Sequence, residues 1–306
     1  MRVTASPDRP ALLDFDFLDA APPWRSGCRW LAGARREAWL PVELVRERPD
    51  AAGTRREAGG LAVLGITRPL GAEADVAAAT EALYRELFAA VRPSAQPFLI
   101  RLWNFLGAIN AGDGDAERYR RFCVGRDAAA DACFRDPPPA ATAIGAPEAM
   151  APLSVVALCS AAPAIALENP RQTPAWRYPR DYGPVPPGFS RGALLRDEEG
   201  TLLLASGTAS IVGHASRHVG DVGAQLDESL DNLRVLLEEG SRHGLGRFQP
   251  GGVQALRVYL RDPAALAAVQ ARLEVEGWPT DRIAFLHGEV CRRELDVELE
   301  GVFGAV

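Results

Sequence analysis

Three acids stand at alternate positions near the C-terminus, in the segment LDVELEG: Asp296, Glu298 and Glu300. Residues two apart on a strand share a face, so this spacing predicts a row of carboxyls. Left in water, such a row is an ordinary solvated sheet surface. Covered by a second domain, it becomes desolvated, and one carboxyl can keep its proton near neutral pH and act as a general acid. Just upstream, Cys291 is followed by Arg292 and Arg293. Neighbouring guanidinium groups favour a thiolate nucleophile, whereas burial makes the same residue a small protonated group that shapes a pocket. The second reading is the expectation here. His214 and His218 lie four apart in GHASRH, a spacing that places two metal ligands on one helix face. The segment follows a strand and is flanked by Gly213 and Gly220, and no third ligand is near. Hydrogen bonding in a turn is expected, and no metal.

All 34 Lys+Arg positions are arginine. No lysine is present to form a Schiff base, to act as a general base or to serve a Walker phosphate loop, so any anion must be recognised by guanidinium groups. The motif GxGxxG is also missing, which speaks against nucleotide cofactors, and SGTAS lacks the geometry of a nucleophile elbow, so Ser-His-Asp hydrolysis finds no support. No cofactor is expected. A formal net charge of −6 argues against nucleic acid or an anionic membrane as partner. No apolar run approaches the ~18 residues of a membrane span. The first residues lack the basic-then-apolar pattern of a signal peptide, so the cytoplasm is the expected location. Five scattered cysteines without a CxxC pair are expected to be reduced thiols.

The elements that must position these groups can be read from periodicity. Residues 61–66 and 97–103 read as strands, with a helix over 75–91 between them that carries Val76, Thr80, Leu83, Leu87 and Ala90 on one stripe. Residues 135–147, RDPPPAATAIGAP, read as the least structured stretch, and a domain junction is expected near residue 150. Beyond it, 201–211 reads as a strand, 221–239 as a helix burying Val222, Leu226, Leu230, Leu233 and Leu237, and 253–261 as a strand. On that strand Leu256, Val258 and Leu260 face one way and Arg257, Tyr259 and Arg261 the other. A helix follows through Leu266, Val269 and Leu273, then strands at 283–287 and 293–302. The order fits an α+β protein of two domains, 1–150 and 151–306, the second with helices on one face of a mixed sheet. The Pro/Gly-rich stretch 169–188 carries tyrosine, tryptophan and arginine side chains, more than a spacer needs.

The C-terminal half resembles the RidA/YjgF-like superfamily in its SGTASIVG strand end, in the helix pattern from Gln225 to Gly240, in RVYLRD, and in Cys291 followed by Val297-Glu298-Leu299-Glu300. RLWNFLGAIN, ERYRRFCVGR, WRYPRDYGPVPPGFSRG, GHASRHVGD and HGEVCRRELDVELEG narrow the likeness to the chorismatases, over roughly residues 60–302. Those enzymes join an N-terminal domain to a RidA-like one and remove pyruvate from chorismate. The resemblance implies that Glu298 is the catalytic acid that protonates the enolpyruvyl methylene carbon. It implies that Arg180 and Arg191, with Arg257 as a third, hold the two carboxylates of chorismate, and that Tyr178 hydrogen-bonds a carboxylate or ring hydroxyl. Cys291 and Gly207 match the pair that marks the 3-hydroxybenzoate-forming class. Hydrolytic and 4-hydroxybenzoate-forming chorismatases, and a non-catalytic RidA-like module that binds a small carboxylate, remain open alternatives. RidA-type deaminases carry an arginine two residues before the cysteine. Glu289 stands there instead and disfavours that activity. A monomer or small homo-oligomer is expected.

Overall fold

The computed structural model describes residues 1–18, 24, 26–50, 53–71, 74–197 and 199–306. The first half runs β1 (Arg2–Thr4), β2 (Leu13–Asp16), β3 (Arg29–Gly33), β4 (Arg36–Leu40), β5 (Arg46–Pro49), β6 (Thr54–Ala58), β7 (Leu61–Arg68), α1 (Val76–Val91), β8 (Phe98–Gly107), α2 (Arg118–Ala129), α3 (Ala132–Arg135), β9 (Ala140–Ala146) and β10 (Leu153–Ser160). The second runs β11 (Ile165–Leu167), β12 (Gly192–Asp197), β13 (Gly200–Ala209), β14 (Ile211–Val212), β15 (Ala215–Ser216), α4 (Val222–Arg242), β16 (Val253–Leu260), α5 (Leu266–Val275), β17 (Ile283–His287) and β18 (Val297–Gly304).

Two mixed sheets dominate. One has the order β5-β6-β7-β10-β8-β9 and the other β11-β12-β13-β18-β16-β17-β3, while β1-β4-β2 and β14-β15 form smaller sheets. The period-2 pattern of the central strands explains the layering. On the six-stranded sheet, Leu64, Leu102 and Val155 face α1 and α2. Val63, Trp103, Val156 and Leu158 face the other way, where they meet Leu204, Tyr259 and Val302 of the seven-stranded sheet. The far face of that second sheet packs Leu256, Val258, Val297 and Leu299 against Leu226, Leu230, Leu233 and Leu237 of α4 and Val269 and Leu273 of α5. Truncating one of these fully buried leucines to alanine costs roughly 2–5 kcal/mol. The helices begin as their sequences predict: Asp75 caps α1 by accepting from Ala77 N at 3.0 Å, and Asp221 caps α4 by accepting from Ala224 N at 3.0 Å.

The helix–sheet–sheet–helix stack puts the even-numbered residues at the start of β18, Glu298 and Glu300, between the sheets, and the odd-numbered Val297 and Leu299 under α4 and α5. Two members of the acidic row, Glu298 and Glu300, are therefore covered, as one of the two sequence readings required, whereas Asp296 lies in the turn before β18 and bonds Gln225 of α4 instead.

Two expectations are corrected. Residues 140–146, read as unstructured, form β9, paired in parallel with β8 from Arg101↔Ala140 to Gly107↔Ala146. Their alanine-rich composition carries little strand signal, and the pairing comes from β8. The chain passes from one large sheet to the other between Ser160 and Ile165, because β10 inserts between β7 and β8. Finally, β18 starts at Val297 rather than at residue 293. The chain before it turns, and Arg261 clamps the turn by donating from Nε to Leu295 O (3.0 Å) and from Nη2 to Val290 O and Arg292 O (both 2.9 Å).

Candidate active site

A cavity of about 350 Å³ opens where the two large sheets meet α2 and the segment 178–191. That volume suits a small molecule. Its floor is built by a β-bulge. The β13–β18 register shifts between Ala205 and Thr208, so that Ala209 pairs with Glu298 and Thr208 with Leu299. Bulges re-aim side chains, and they cluster beside functional sites. This one is pinned on both sides. The Ser206 hydroxyl donates to Ser190 O at 2.6 Å and accepts from Ala141 N at 3.0 Å, and Gly207 N donates to the Thr142 hydroxyl at 2.9 Å.

Glu298 stands on that floor, 4 % exposed. Its carboxyl makes no hydrogen bond to another described residue. Burial, and then the charge of Glu300, push its pKa up to about 8, against the opposing pull of Arg101, Arg191 and Arg261. At neutral pH it is a neutral acid with its proton available to the cavity.

The walls are cationic. Arg191 is buried beneath the proline-rich loop, where its Nη2 donates to Tyr178 Oη at 2.7 Å and to Thr173 O at 3.0 Å. Its Nε is buried without a partner. Arg292 stacks 4.0 Å above the Tyr182 ring and donates through Nη1 to His214 O (2.9 Å) and the Ser216 hydroxyl (3.0 Å), leaving Nη2 buried and unpaired. Arg126, on α2, is also buried and lines the cavity, with no carboxylate partner among the described residues. Buried guanidinium groups with unused donors are costly unless an anion arrives to take them.

The remaining sequence candidates divide. Tyr178, Arg191, Gly207, Cys291 and Glu298 all line the cavity. Arg180 does not: its side chain is 63 % exposed at the rim, where it forms an ion pair with Asp115. Arg257 does not either. It is buried between the sheets behind the floor, donating from Nε to Glu37 at 2.7 Å and from Nη1 to Glu300 at 2.9 Å, with its guanidinium 4.0 Å above the Phe15 ring. Its charge is already spent on protein carboxylates. The Cys291 thiol is driven up to about 12, chiefly by burial and then by Glu298, which outweigh Arg292, and this favours the protonated form that shapes the pocket. Glu289 pairs its backbone with Gly145, N to O at 2.8 Å in each direction, and joins the two halves. The histidines serve separate partners: His214 Nδ1 lies 3.2 Å from Tyr182 Oη, and His218 Nε2 lies 3.3 Å from Glu228. Among the described residues no group of three His, Cys, Asp or Glu side chains is placed to hold a metal ion. No helix there is long and apolar enough to cross a membrane.

Arg126 and Arg292 escaped the sequence reading as anion ligands. Arg126 left a signal: it continues the spacing of Tyr119 and Phe122, which puts a charge on the buried stripe of α2.

A neutral carboxyl at the base of a guanidinium-walled cavity is the arrangement of an acid catalyst for a small polyanion. Comparison with known proteins gives this class a family. Residues 37–159 match the family model described as "Chorismatase FkbO/Hyg5-like, N-terminal". The chain is 39 % identical over 246 residues to a chorismatase of Streptomyces hygroscopicus, which covers 78 % of this chain and 71 % of that protein. It is 36 % identical over 234 residues to a 3-hydroxybenzoate synthase of the same species, covering 73 % and 68 % of the two chains. A crystal structure of a chorismatase superposes with a TM-score of 0.77 at 32 % identity, over 88 % of this chain and 82 % of the other. The chain belongs to the chorismatase family.

Proposed function

We propose that the chain converts chorismate to 3-hydroxybenzoate and pyruvate, with Glu298 as the proton donor. In this reading the neutral carboxyl of Glu298 gives its proton to the methylene carbon of the enolpyruvyl ether. The adjacent ether carbon takes on oxocarbenium character, the bond between ring and ether oxygen weakens, and the enolpyruvyl group departs as pyruvate. As that bond breaks, the neighbouring ring hydroxyl oxygen bridges from C4 to C3 and gives up its proton; the resulting arene oxide opens at C4, leaving the oxygen on C3, and loss of the C3 proton aromatises the ring to 3-hydroxybenzoate. No water is consumed: the atoms of chorismate divide between one hydroxybenzoate and one pyruvate. Arg191 Nε and Arg292 Nη2 receive the two carboxylates, assisted by Arg126, while Tyr178 holds Arg191 and presents its hydroxyl to the substrate. Cys291 and Gly207 shape the floor beside the acid. The likeness to a 3-hydroxybenzoate synthase supports the product assignment.

The observation that carries the proposal is the placement of Glu298, buried and without a hydrogen-bond partner among the described residues, within a cavity walled by unpaired arginine donors. Chromatography of the products after incubation with chorismate, alongside a pyruvate assay, tests it. Equimolar 3-hydroxybenzoate and pyruvate are expected. A dihydroxycyclohexadiene carboxylate or 4-hydroxybenzoate as main product would reassign the class, and no pyruvate from folded protein would overturn the activity.

A further inference from the structure

Glu298 and Glu300 sit two residues apart on β18, face the same way and are both buried, yet their surroundings are opposite. Glu298 has no hydrogen-bond partner among the described residues. Glu300 accepts from Tyr259 Oη at 2.6 Å, from Arg257 Nη1 at 2.9 Å and from the Thr142 hydroxyl at 2.5 Å, and it also accepts from the Arg101 guanidinium. Arg257 reaches on to Glu37. The donors come from β8, β9 and β16, and Glu37 from β4, so the cluster ties the two large sheets and the small N-terminal one together. Two guanidinium groups meet two carboxylates, a balance that keeps Glu300 ionised. Burial pushes its pKa up, but Arg257 and Arg101, with the hydrogen bonds from Thr142 and Tyr259, hold it below the ordinary value.

We infer that Glu300 is a positioning residue of the reaction: the buried cluster Glu37–Arg257–Glu300–Arg101 keeps Glu300 ionised, and the negative charge of that carboxylate beside Glu298 keeps the proton on the acid until substrate takes it. The inference rests on Glu298 being the acid. The cations that act most on Glu298 are Arg101 on β8, Arg191 before β12 and Arg261 after β16, with Arg126 and Arg292 further round the same cavity, and a positive charge at any of them favours loss of the proton. Cys291, which lines the cavity with it, is neutral. Burial and Glu300 are what resist them. A bound dicarboxylate on Arg191 would cancel part of that pull and reinforce the protonated state.

The test is kcat against pH with chorismate and the full chain. Because the neutral form of Glu298 donates, wild-type activity is full below the acid's pKa and falls as pH rises through about 8. Glu300→Gln removes the negative charge and moves this alkaline limb to lower pH, by about one unit or more, which is a tenfold change in the proton equilibrium. Arg101→Gln leaves Glu300 held by Arg257 and Tyr259 but takes a positive charge away from Glu298, so the limb moves to higher pH. Opposite shifts support the inference. Limbs that stay at the wild-type position, or that move in the same direction, overturn it. Should Glu300→Gln fail to fold, Arg101→Gln decides alone: an upward shift supports, and no shift or a downward one overturns. Failure of the acid assignment itself shows separately, as turnover by Glu298→Gln at any pH.

Discussion

A Cβ placed on Gly207 would lie 2.1 Å from Oε1 and 2.9 Å from Cδ of Glu298, so the acid occupies the space that a side chain at 207 would need. The third near atom, Thr142 Cγ2 at 3.1 Å, closes the other side. The bulge that removes residues 206–207 from regular pairing, the missing side chain and the acid form one unit. Glycine here is required by close approach, since its φ lies outside the left-handed region.

Gly207→Ala should therefore displace the carboxyl. Misplacing a catalytic group by about 1 Å costs on the order of 10²-fold in rate, so kcat is expected to fall by that order with a smaller change in KM. The ratio of hydroxybenzoate products should change as well. Steady-state kinetics with product chromatography check both, and an unchanged ratio at near-normal kcat would contradict the close packing.

The cavity arginines and the rim arginine should separate cleanly. A hydrogen bond to a charged group contributes about 1.5–3 kcal/mol, so Arg191→Met and Arg292→Met should each lower kcat/KM by roughly 10–100-fold. Arg180→Ala, on an exposed ion pair with Asp115, should stay within about threefold, as surface pairs contribute little. Equal losses in all three would mean that the rim closes over the substrate.

Cys291→Ala should keep pyruvate release within about tenfold of wild type while altering the product ratio. The thiol is held protonated by burial, so iodoacetamide at pH 7 should leave activity largely intact. Rapid inactivation with a stoichiometric adduct would restore the nucleophile reading.

Arg257→Met should act on stability. It leaves Glu37 and Glu300 buried without their shared cation, and breaking such a pair costs about 3–5 kcal/mol. Thermal unfolding should register that loss. A variant with wild-type Tm and a raised KM would instead return Arg257 to the substrate.

What the sequence made legible follows from what periodicity encodes. The alternation in VELEG placed Glu298 and Glu300 on one face, and the leucine stripe and Asp221 marked α4 almost to the residue. Periodicity carries no information on what lies across from a face. Arg257 was rightly placed opposite Leu256 and Val258, but its partners Glu37 and Glu300 lie 220 and 43 residues away, and nothing local announces them. The same limit hid the role of the first 60 residues, which supply Glu37 and lend β3 to the C-terminal sheet. β9 was missed for another reason. Ala141 and Ala143 line the cavity, and the small side chains that leave it open are those that carry the weakest strand signal. Arg180 and Arg191 looked alike in a proline-stiffened loop, and only the packing of Tyr178 selects Arg191.

The central claim is that Glu298 supplies the proton, and Glu298→Gln tests it most directly. The amide preserves shape and removes the acid. The variant should fold with wild-type circular dichroism, bind a dicarboxylate analogue within a few-fold of wild type by calorimetry, and release no pyruvate from chorismate above background. Pyruvate release at a tenth of the wild-type rate or more, from folded protein, would contradict the account.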